Sequence, residues 1–258
     1  MDITSLQNPK VKYIVKLRED KRPRQRDGVM LVEGYDELTL ALNSGLKPQS
    51  LLTAPELVSR SIDIHNAEIT TVSRAVFEKM SYRDGPDGWM GIFPTPKTSL
   101  DELKLSASPL VIVAESVEKP GNLGAILRTA DAAHVDAVIV CDPRVDLWNP
   151  NVIRASRGAV FAVPTVEAES LNALAWLRSR KMRVLAATPS AAVSYTDVNL
   201  SGPIAIAVGT EDEGLTDFWM QNADIKVKIP MLGRVNSLNV SIATALITYE
   251  SVRQRNSG

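Results

Sequence analysis

The chain has 258 residues, 45% of them hydrophobic and 23% charged, which is typical of a folded globular protein and excludes a disordered or fibrous one. No apolar run approaches the ~18 residues that a membrane span needs, and the N-terminal residues lack a secretory signal, so we expect a cytoplasmic protein with no membrane segment. One cysteine, Cys141, and two histidines, His65 and His134, are too few for the usual metal centres, and we expect no metal.

Positive charge is concentrated between Pro9 and Arg26, although the formal net charge of the whole chain is −1. This stretch holds eight basic residues against only Glu19 and Asp20. It could neutralise several phosphates of a nucleic acid and release their counterions, or it could be the solvated face of a helix. The residues alone favour neither interpretation. The candidate nucleic-acid contacts are Lys10, Lys12, Lys16, Arg22, Arg24 and Arg26.

Residues 1–95 predict a small α/β domain, because helical and strand-like segments alternate along them. An apolar stripe predicts a helix in the basic segment, formed by Val11, Ile14, Val15 and Leu17. A second helix is predicted over YDELTLALNSG, which ends in a stop signal. The predicted strands are VMLVEG, SLLTA, EITTVS and WMGIF. The segment from Pro94 to Pro109 contains proline, serine and few large apolar residues, and residues 96–108 within it are the predicted linker.

Residues 109–258 predict a second α/β domain with a parallel sheet, because strands again alternate with helices. The predicted strands are VIVAES, DAVIVCD, VLAATP, IAIAVG and DIKVKIP. The predicted helices are NLGAILRTADAAH, NPNVIRAS, SLNALAWLRSRK and, at the end of the chain, SLNVSIATALITYESVRQR. In such a sheet, ligands bind beyond the carboxyl ends of the strands.

The first loop of interest, EKPGNLGAILRTADAA, follows a predicted strand. Gly121 and Gly124 would let the backbone approach a ligand closely. Asn122 and Arg128 lie near the start of the following helix, where an anion could bind. The alternative is an ordinary turn with a capping asparagine and a surface arginine.

Two further loops place polar residues beyond predicted strands. Gly209 and Gly214 bracket an acidic loop, which could favour the dipole of the next helix or hold a cationic group or a ligand hydroxyl. In the last loop Ser237, Asn239 and Ser241 occupy alternate positions where the final helix begins. Helix capping explains one of these three at most, so we expect a further purpose for the others.

A dinucleotide site is an alternative interpretation of the first loop, since Gly121, Gly124 and the later Asp142 partly match its fingerprint. The third glycine of that fingerprint is missing. A nicotinamide-dependent oxidoreductase would also leave the other two loops unexplained.

Taken together, the three loops resemble the motifs of the SpoU family of RNA ribose methyltransferases, within the SPOUT class. The first motif, Asn-x-Gly-x-x-x-Arg, is matched in NLGAILR, and the second, Gly-x-Glu-x-x-Gly, in GTEDEG. The third, Ile-Pro-x-x-Gly-x-x-x-Ser-Leu-Asn-Val-Ser, is matched in full from Ile229 to Ser241. Thr210 departs from the asparagine of many relatives. The opening residues also resemble the ribosomal-protein-like substrate-binding domain of members that modify ribosomal RNA.

The resemblance implies a parallel sheet with helices on both faces and a C-terminal trefoil knot, an arrangement that chain-connection rules do not predict. It also implies S-adenosylmethionine as the methyl donor and a homodimer as the working form. The residues it implies for the methyl donor site are Gly209, Thr210, Glu211, Gly214, Ile229, Met231, Ser237, Leu238 and Asn239. The residues it implies for catalysis are Arg128, Asn122, Glu211, Ser237 and Asn239.

The expected function is therefore methyl transfer to a ribose 2′-hydroxyl of RNA, with large-subunit ribosomal RNA as the expected substrate. The resemblance favours the RNA-binding interpretation of the basic segment. Arg154 and Arg157 are further candidates for RNA contact, or else surface arginines. The main alternative is a non-catalytic RNA-binding or ribosome-assembly protein that retains the fold, and S-adenosylmethionine binding discriminates between the two.

Overall fold

The computed structural model describes residues 3–62 and 68–256. Its helices are α1 Pro9–Glu19, α2 Lys21–Asp27, α3 Tyr35–Asn43, α4 Arg74–Met80, α5 Pro120–Ala132, α6 Pro150–Ala155, α7 Ser170–Ser179, α8 Asp217–Asn222 and α9 Val240–Asn256. Its strands are β1 Val29–Glu33, β2 Ser50–Thr53, β3 Ile69–Thr71, β4 Trp89–Pro94, β5 Leu110–Glu115, β6 Ala137–Cys141, β7 Thr165–Ala168, β8 Arg183–Ala187, β9 Val193–Ser194, β10 Ile204–Val208 and β11 Ile225–Lys228.

The chain divides into two compact units by its contacts. The first unit comprises Met1–Lys97 with Trp148–Ala162, and the second comprises Thr98–Leu147 with Val163–Gly258. The sequence pattern placed the segment 148–162 in the second domain, whereas its contacts group it with the first. The physical reason is that α6, with buried Val152 and Ile153, packs against β1.

The first unit contains a sheet of order β1-β4-β2-β3, in which only the β2–β3 pair is parallel among the described strands. Helix α1 buries its predicted apolar stripe at Val11, Ile14 and Leu17. Its charged residues therefore lie on the remaining face. The sequence pattern did not predict α2, because this helix has no apolar stripe. Its start is capped instead by the side chain of Asp20, which accepts a hydrogen bond from the Arg22 backbone.

The second unit contains a sheet of order β7-β6-β5-β10-β8-β11-β9, whose described pairs are all parallel. This confirms the predicted parallel sheet. The central strands β5 and β10 are buried along their whole length, as the apolar segment IAIAVG predicted. The residues expected to form a linker are ordered here, because Leu100, Leu103 and Leu105 pack against the core of this unit.

Helix α9 begins at Val240, three residues later than the pattern predicted. Ser237, Leu238 and Asn239 consequently remain in the loop before it. No described helix is long and apolar enough to cross a membrane. In residues 3–62 and 68–256, no group of three or more His, Cys, Asp or Glu is arranged to hold a metal ion, and His65 lies outside these ranges.

Candidate functional site

A cavity of about 430 Å³ opens at the carboxyl ends of β8, β10 and β11 in the second unit. Its size is within the ~300–1,000 Å³ range of small-molecule sites. It is lined by residues that follow β8, β10 and β11, at the carboxyl edge of the parallel sheet, where ligands usually bind in such folds. The predicted methyl-donor residues that line it are Gly209, Thr210, Glu211, Gly214, Ile229, Met231, Ser237 and Leu238.

The loop after β10 is closed by two reciprocal backbone hydrogen bonds between Thr210 and Gly214, at 3.0 and 3.2 Å. Gly214 has φ +73°, a backbone conformation that is strained for a residue with a side chain. A Cβ atom on Gly209 would lie 2.0 Å from the backbone oxygen of Gly214. The close approach therefore requires glycine at position 209, and the positive φ favours glycine at position 214.

Glu211 is held by donors from two other segments. Its Oε1 accepts hydrogen bonds from the side-chain amides of Asn122, at 2.9 Å, and of Asn239, while its Oε2 pairs with the Lys119 ammonium. These partners, Lys119 first, lower the pKa of Glu211. The carboxylate is therefore ionised at neutral pH. The structure thus brings together three of the five predicted catalytic residues.

Asn239 links this cluster to the start of α9. Its Oδ1 accepts hydrogen bonds from the Ser241 backbone, at 3.0 Å, and from the Ser241 hydroxyl, at 2.6 Å. Its amide donates to Glu211 and, at 3.1 Å, to Asn122. One residue therefore caps the helix, as expected, and also joins the cluster. Ser237 is exposed at the cavity and takes no part in capping.

Arg128 lies outside this cluster. It is exposed on α5, does not line the cavity, and makes no hydrogen bond or ion pair with the described residues. At 3.6 residues per turn, six positions turn its side chain roughly 120° away from that of Asn122. The sequence interpretation had placed both at one end of the helix. The guanidinium is thus free to meet an external anion rather than engaged in the cluster.

Three features of the site had escaped the sequence interpretation. Lys119 supplies the cation for the acidic loop, from 92 positions away. Buried Glu115, at the end of β5, accepts hydrogen bonds from the backbone and hydroxyl of Thr216, at 2.8 and 2.6 Å. The turn 188–190 after β8 also lines the cavity. Its Thr-Pro-Ser sequence directly after a buried strand was a signal that could have found it.

Asp142, the acid of the dinucleotide alternative, has a structural role. Its carboxylate accepts a hydrogen bond from Ser170, whose hydroxyl also accepts one from the buried Trp219 indole at 2.9 Å. Neighbouring Cys141 is fully buried, and burial raises the pKa of its thiol to about 12. His134 lies in the turn after α5 with φ 52°. None of these residues lines the cavity.

The basic segment forms a surface on α1 and α2, in the first unit, that we call the basic face. Lys12, Lys16, Arg22 and Arg26 line one shallow cavity there with Tyr13, Pro9, Asp20 and Pro23. Lys10 donates a hydrogen bond to Thr70 at 3.0 Å. Arg24 differs from the others, since it is 3% exposed and donates to the backbone oxygens of Leu17 and Asp20. Its burial argues against the predicted RNA contact.

Arg154 and Arg157 are exposed in the first unit. Arg154 lies over the ring of Tyr82, 5.2 Å from its centroid, and hydrogen-bonds Asn151 at 2.9 Å. Arg157 is 3.4 Å from Asp36. Both guanidiniums therefore belong to a mixed-charge surface rather than to a purely basic one.

Residues 109–249 match the SpoU rRNA Methylase family, and residues 8–91 match the MRM3-like substrate binding domain. A 23S rRNA (guanosine-2′-O-)-methyltransferase, RlmB of Pseudomonas putida, is 38% identical, with 90% of each chain covered. A solved RNA 2′-O ribose methyltransferase is 40% identical with a TM-score of 0.87, covering 99% of this chain and 100% of that one.

An AdoMet-bound rRNA methyltransferase from Sinorhizobium meliloti is 30% identical with a TM-score of 0.87, covering 98% of this chain and 97% of that one. The three motifs occur in order, and the parallel sheet has a cavity at its carboxyl edge. Together with these similarities, they define the class of protein as an RNA 2′-O-methyltransferase. The chain belongs to the SpoU rRNA methylase family.

Proposed function

We propose that the protein transfers a methyl group from S-adenosylmethionine to a ribose 2′-hydroxyl in large-subunit ribosomal RNA. The observation that carries the proposal is the cavity at the sheet's carboxyl edge, built from the second and third family motifs and joined to the first through Glu211 and Asn122. Relatives from Pseudomonas putida, Bacillus subtilis and Streptomyces viridochromogenes are named as 23S rRNA 2′-O-methyltransferases. Because ribosomal RNA is its proposed substrate, we place the protein in the cytoplasm.

The cavity fits the methyl donor chemically. Apolar side chains such as Val208, Leu215 and Ile247 would pack against the adenosyl group, and the folded-back loop 209–214 presents backbone polar groups beside them. The acidic residues of that loop favour a cationic ligand. S-adenosylmethionine supplies a methyl group on a positively charged sulfur, which is already a good leaving group. The trefoil knot implied by the family resemblance stays a prediction.

The protein's own task is then to align the ribose and to make its 2′-oxygen more nucleophilic. We assign this role to Arg128, whose exposed guanidinium is available to an RNA phosphate and ribose. A guanidinium keeps its proton above pH ~12, so Arg128 is not a literal base. It would stabilise the negative charge developing on the oxygen, or orient a phosphate that accepts the proton. Asn122, Glu211, Ser237 and Asn239 would shape the pocket around the reacting groups.

The variant Arg128→Ala tests this assignment. We expect methyl transfer to fall at least ~100-fold, in line with the loss of one preorganised charge-stabilising group, while S-adenosylmethionine binding stays unchanged. Transfer is measured with a tritiated donor and ribosomal RNA, and binding by calorimetry. Arg180→Ala is the matched control, because Arg180 stacks on Trp176 at the opposite edge of the sheet, before β8. Normal turnover by Arg128→Ala would refute the role of Arg128.

RNA binding by the basic face is the second part of the proposal. Lys12, Lys16, Arg22 and Arg26 are exposed around one cavity, and Lys10 lies on the same helix. Such a cluster suits the phosphates of a polyanion. Arg154 and Arg157 would add contacts elsewhere on the first unit.

A homodimer is the third part, and α9 supports it. Ile242, Leu246 and Tyr249 form an apolar stripe along α9, being 51%, 39% and 48% exposed. Ile247, next to Leu246 in the chain, is in contrast fully buried and lines the cavity. A second copy packed on this stripe would cover it. Light scattering should give a dimer mass for the wild type and a monomer mass for Leu246→Glu, and a wild-type monomer would contradict the proposal.

A further inference from the structure

The first unit holds a polar cavity of about 480 Å³ whose lining residues differ from those of the basic face. We call it the Tyr82 cavity. Its volume is again in the range of small-molecule sites. It lies between α3, the loop after α4 and the segment containing α6. Its lining residues are Asp36, Glu37, Tyr82, Arg83, Asp84, Arg154 and Arg157.

Tyr82 is 45% exposed, yet its backbone and its neighbour are held by hydrogen bonds. The Tyr82 backbone donates a hydrogen bond to the Glu33 carboxylate at 2.7 Å, and the neighbouring Ser81 hydroxyl donates to the same carboxylate. The guanidinium of Arg154 lies over the ring of Tyr82. A flat aromatic ring is thus displayed to solvent beside a planar guanidinium, on a loop that is hydrogen-bonded to Glu33. Unpaired RNA bases stack on both kinds of group.

The charges of the Tyr82 cavity differ from those of the basic face. Carboxylates and guanidiniums both line it, with Arg83 paired to Glu37 at 2.5 Å and Arg157 near Asp36. Arg83 Nε and Glu37 Oε2 are buried and have no hydrogen-bond partner among the described residues. A phosphate needs donors only, and the carboxylates would repel it. A nucleobase edge displays both donors and acceptors, and so it matches this lining.

We propose that the Tyr82 cavity binds one unpaired base of the RNA substrate, stacked on Tyr82 and Arg154 with its polar edge toward the charged lining. This inference rests on the proposed function and assigns different roles in RNA binding to two surfaces of the first unit. The basic face holds the phosphates, which gives affinity without sequence information, and the Tyr82 cavity reads a base. One relative is named for 2′-O-methylation of guanosine and another for 2′-O-methylation of uridine. The methyl transfer is the same while the base differs, which supports a base-reading site separate from the methyl-donor cavity.

The test compares Tyr82→Ala and Tyr82→Phe in the full chain, since Phe retains the stacking ring. The probes are a fluorescein-labelled single-stranded oligoadenylate and a labelled RNA duplex of the same length, titrated by fluorescence anisotropy. Tyr82→Ala should bind the single strand about 5- to 150-fold more weakly, the range for loss of one stacked base. Tyr82→Phe should bind it as the wild type does. Duplex affinity and the salt dependence of binding should not change, because no phosphate contact is lost.

The matched control is Tyr35→Ala, which removes a tyrosine of this unit that also lies under an arginine but does not line the cavity. It should bind both probes as the wild type does. Single-strand affinity unchanged by Tyr82→Ala, or an equal loss for the duplex, would overturn the inference. Wild-type methyl transfer to ribosomal RNA in the same experiments would show that the proposed function survives this failure. A wild type that binds neither probe would count against both proposals.

Discussion

Asn239 carries two tasks that substitution can separate. Its side-chain oxygen caps α9 through Ser241, and its side-chain amide donates to Glu211 and Asn122. Asn239→Ala removes both sets of hydrogen bonds. Asn239→Ser keeps a capping hydroxyl, which serves nearly as well at a helix start, but loses the amide. The two variants therefore differ mainly in the cap.

The expected magnitudes follow from these contacts. Loss of an asparagine cap costs about 0.5–2 kcal/mol of stability. A hydrogen bond to a charged acceptor contributes about 1.5–3 kcal/mol when buried. The Glu211 side chain is 22% exposed and keeps Asn122 and Lys119 as partners, so the lower end applies. We expect Asn239→Ala to lose about 2–3.5 kcal/mol and Asn239→Ser roughly 1 kcal/mol less. Both should bind S-adenosylmethionine roughly tenfold more weakly, because Glu211 and its loop are less well held.

Urea denaturation followed by circular dichroism measures the stabilities, and calorimetry measures the affinities. If Asn239→Ser restored both stability and affinity, Asn239 would be a helix cap and nothing more. If the two variants were equally stable, the cap would contribute nothing. Either result would refute the double role derived from the structure.

Other predictions concern the loop and the basic face. Gly209→Ala should abolish S-adenosylmethionine binding, because its Cβ would lie 2.0 Å from a backbone oxygen, whereas Gly121→Ala, whose Cβ meets nothing within 4 Å, should leave it unchanged. Equal affinities in calorimetry would contradict this. Reversing the charge of Lys10, Lys12 and Lys16 should weaken RNA binding and flatten its salt dependence. An unchanged slope in anisotropy titrations would mean that these lysines are only a solvated helix face.

Periodicity predicted most helices and strands, because apolar spacing directly reports which face of an element is buried. The stripe on α1 and the uninterrupted apolar run of β10 are examples. The small helix α2 escaped prediction because side-chain capping and an αL glycine, Gly28, define it without an apolar face. The grouping of segment 148–162 with the first unit left no local pattern, because its contact partner, β1, lies more than a hundred positions earlier.

The sequence predicted those site residues whose roles depend on their position next to the end of a strand or the start of a helix. The glycines of the loop after β10 and the asparagine before α9 were found from their positions beside strand and helix ends. Lys119 was not, because its pairing with Glu211 spans 92 positions and leaves no local pattern. Arg24 was misjudged for a different reason, since a charge count does not show that a guanidinium folds back onto the nearby backbone oxygens of Leu17 and Asp20.

The central claim is methyl transfer to a ribose oxygen, and one measurement addresses it directly. The protein is incubated with ribosomal RNA and S-adenosylmethionine carrying a labelled methyl group, and the digested nucleosides are analysed by mass spectrometry. The structure and its family predict label on the ribose of a 2′-O-methylated nucleoside, dependent on Arg128. Label on a base, or bound methyl donor with no transfer to any ribosomal RNA, would contradict the account, and the second result would favour a non-catalytic RNA-binding protein.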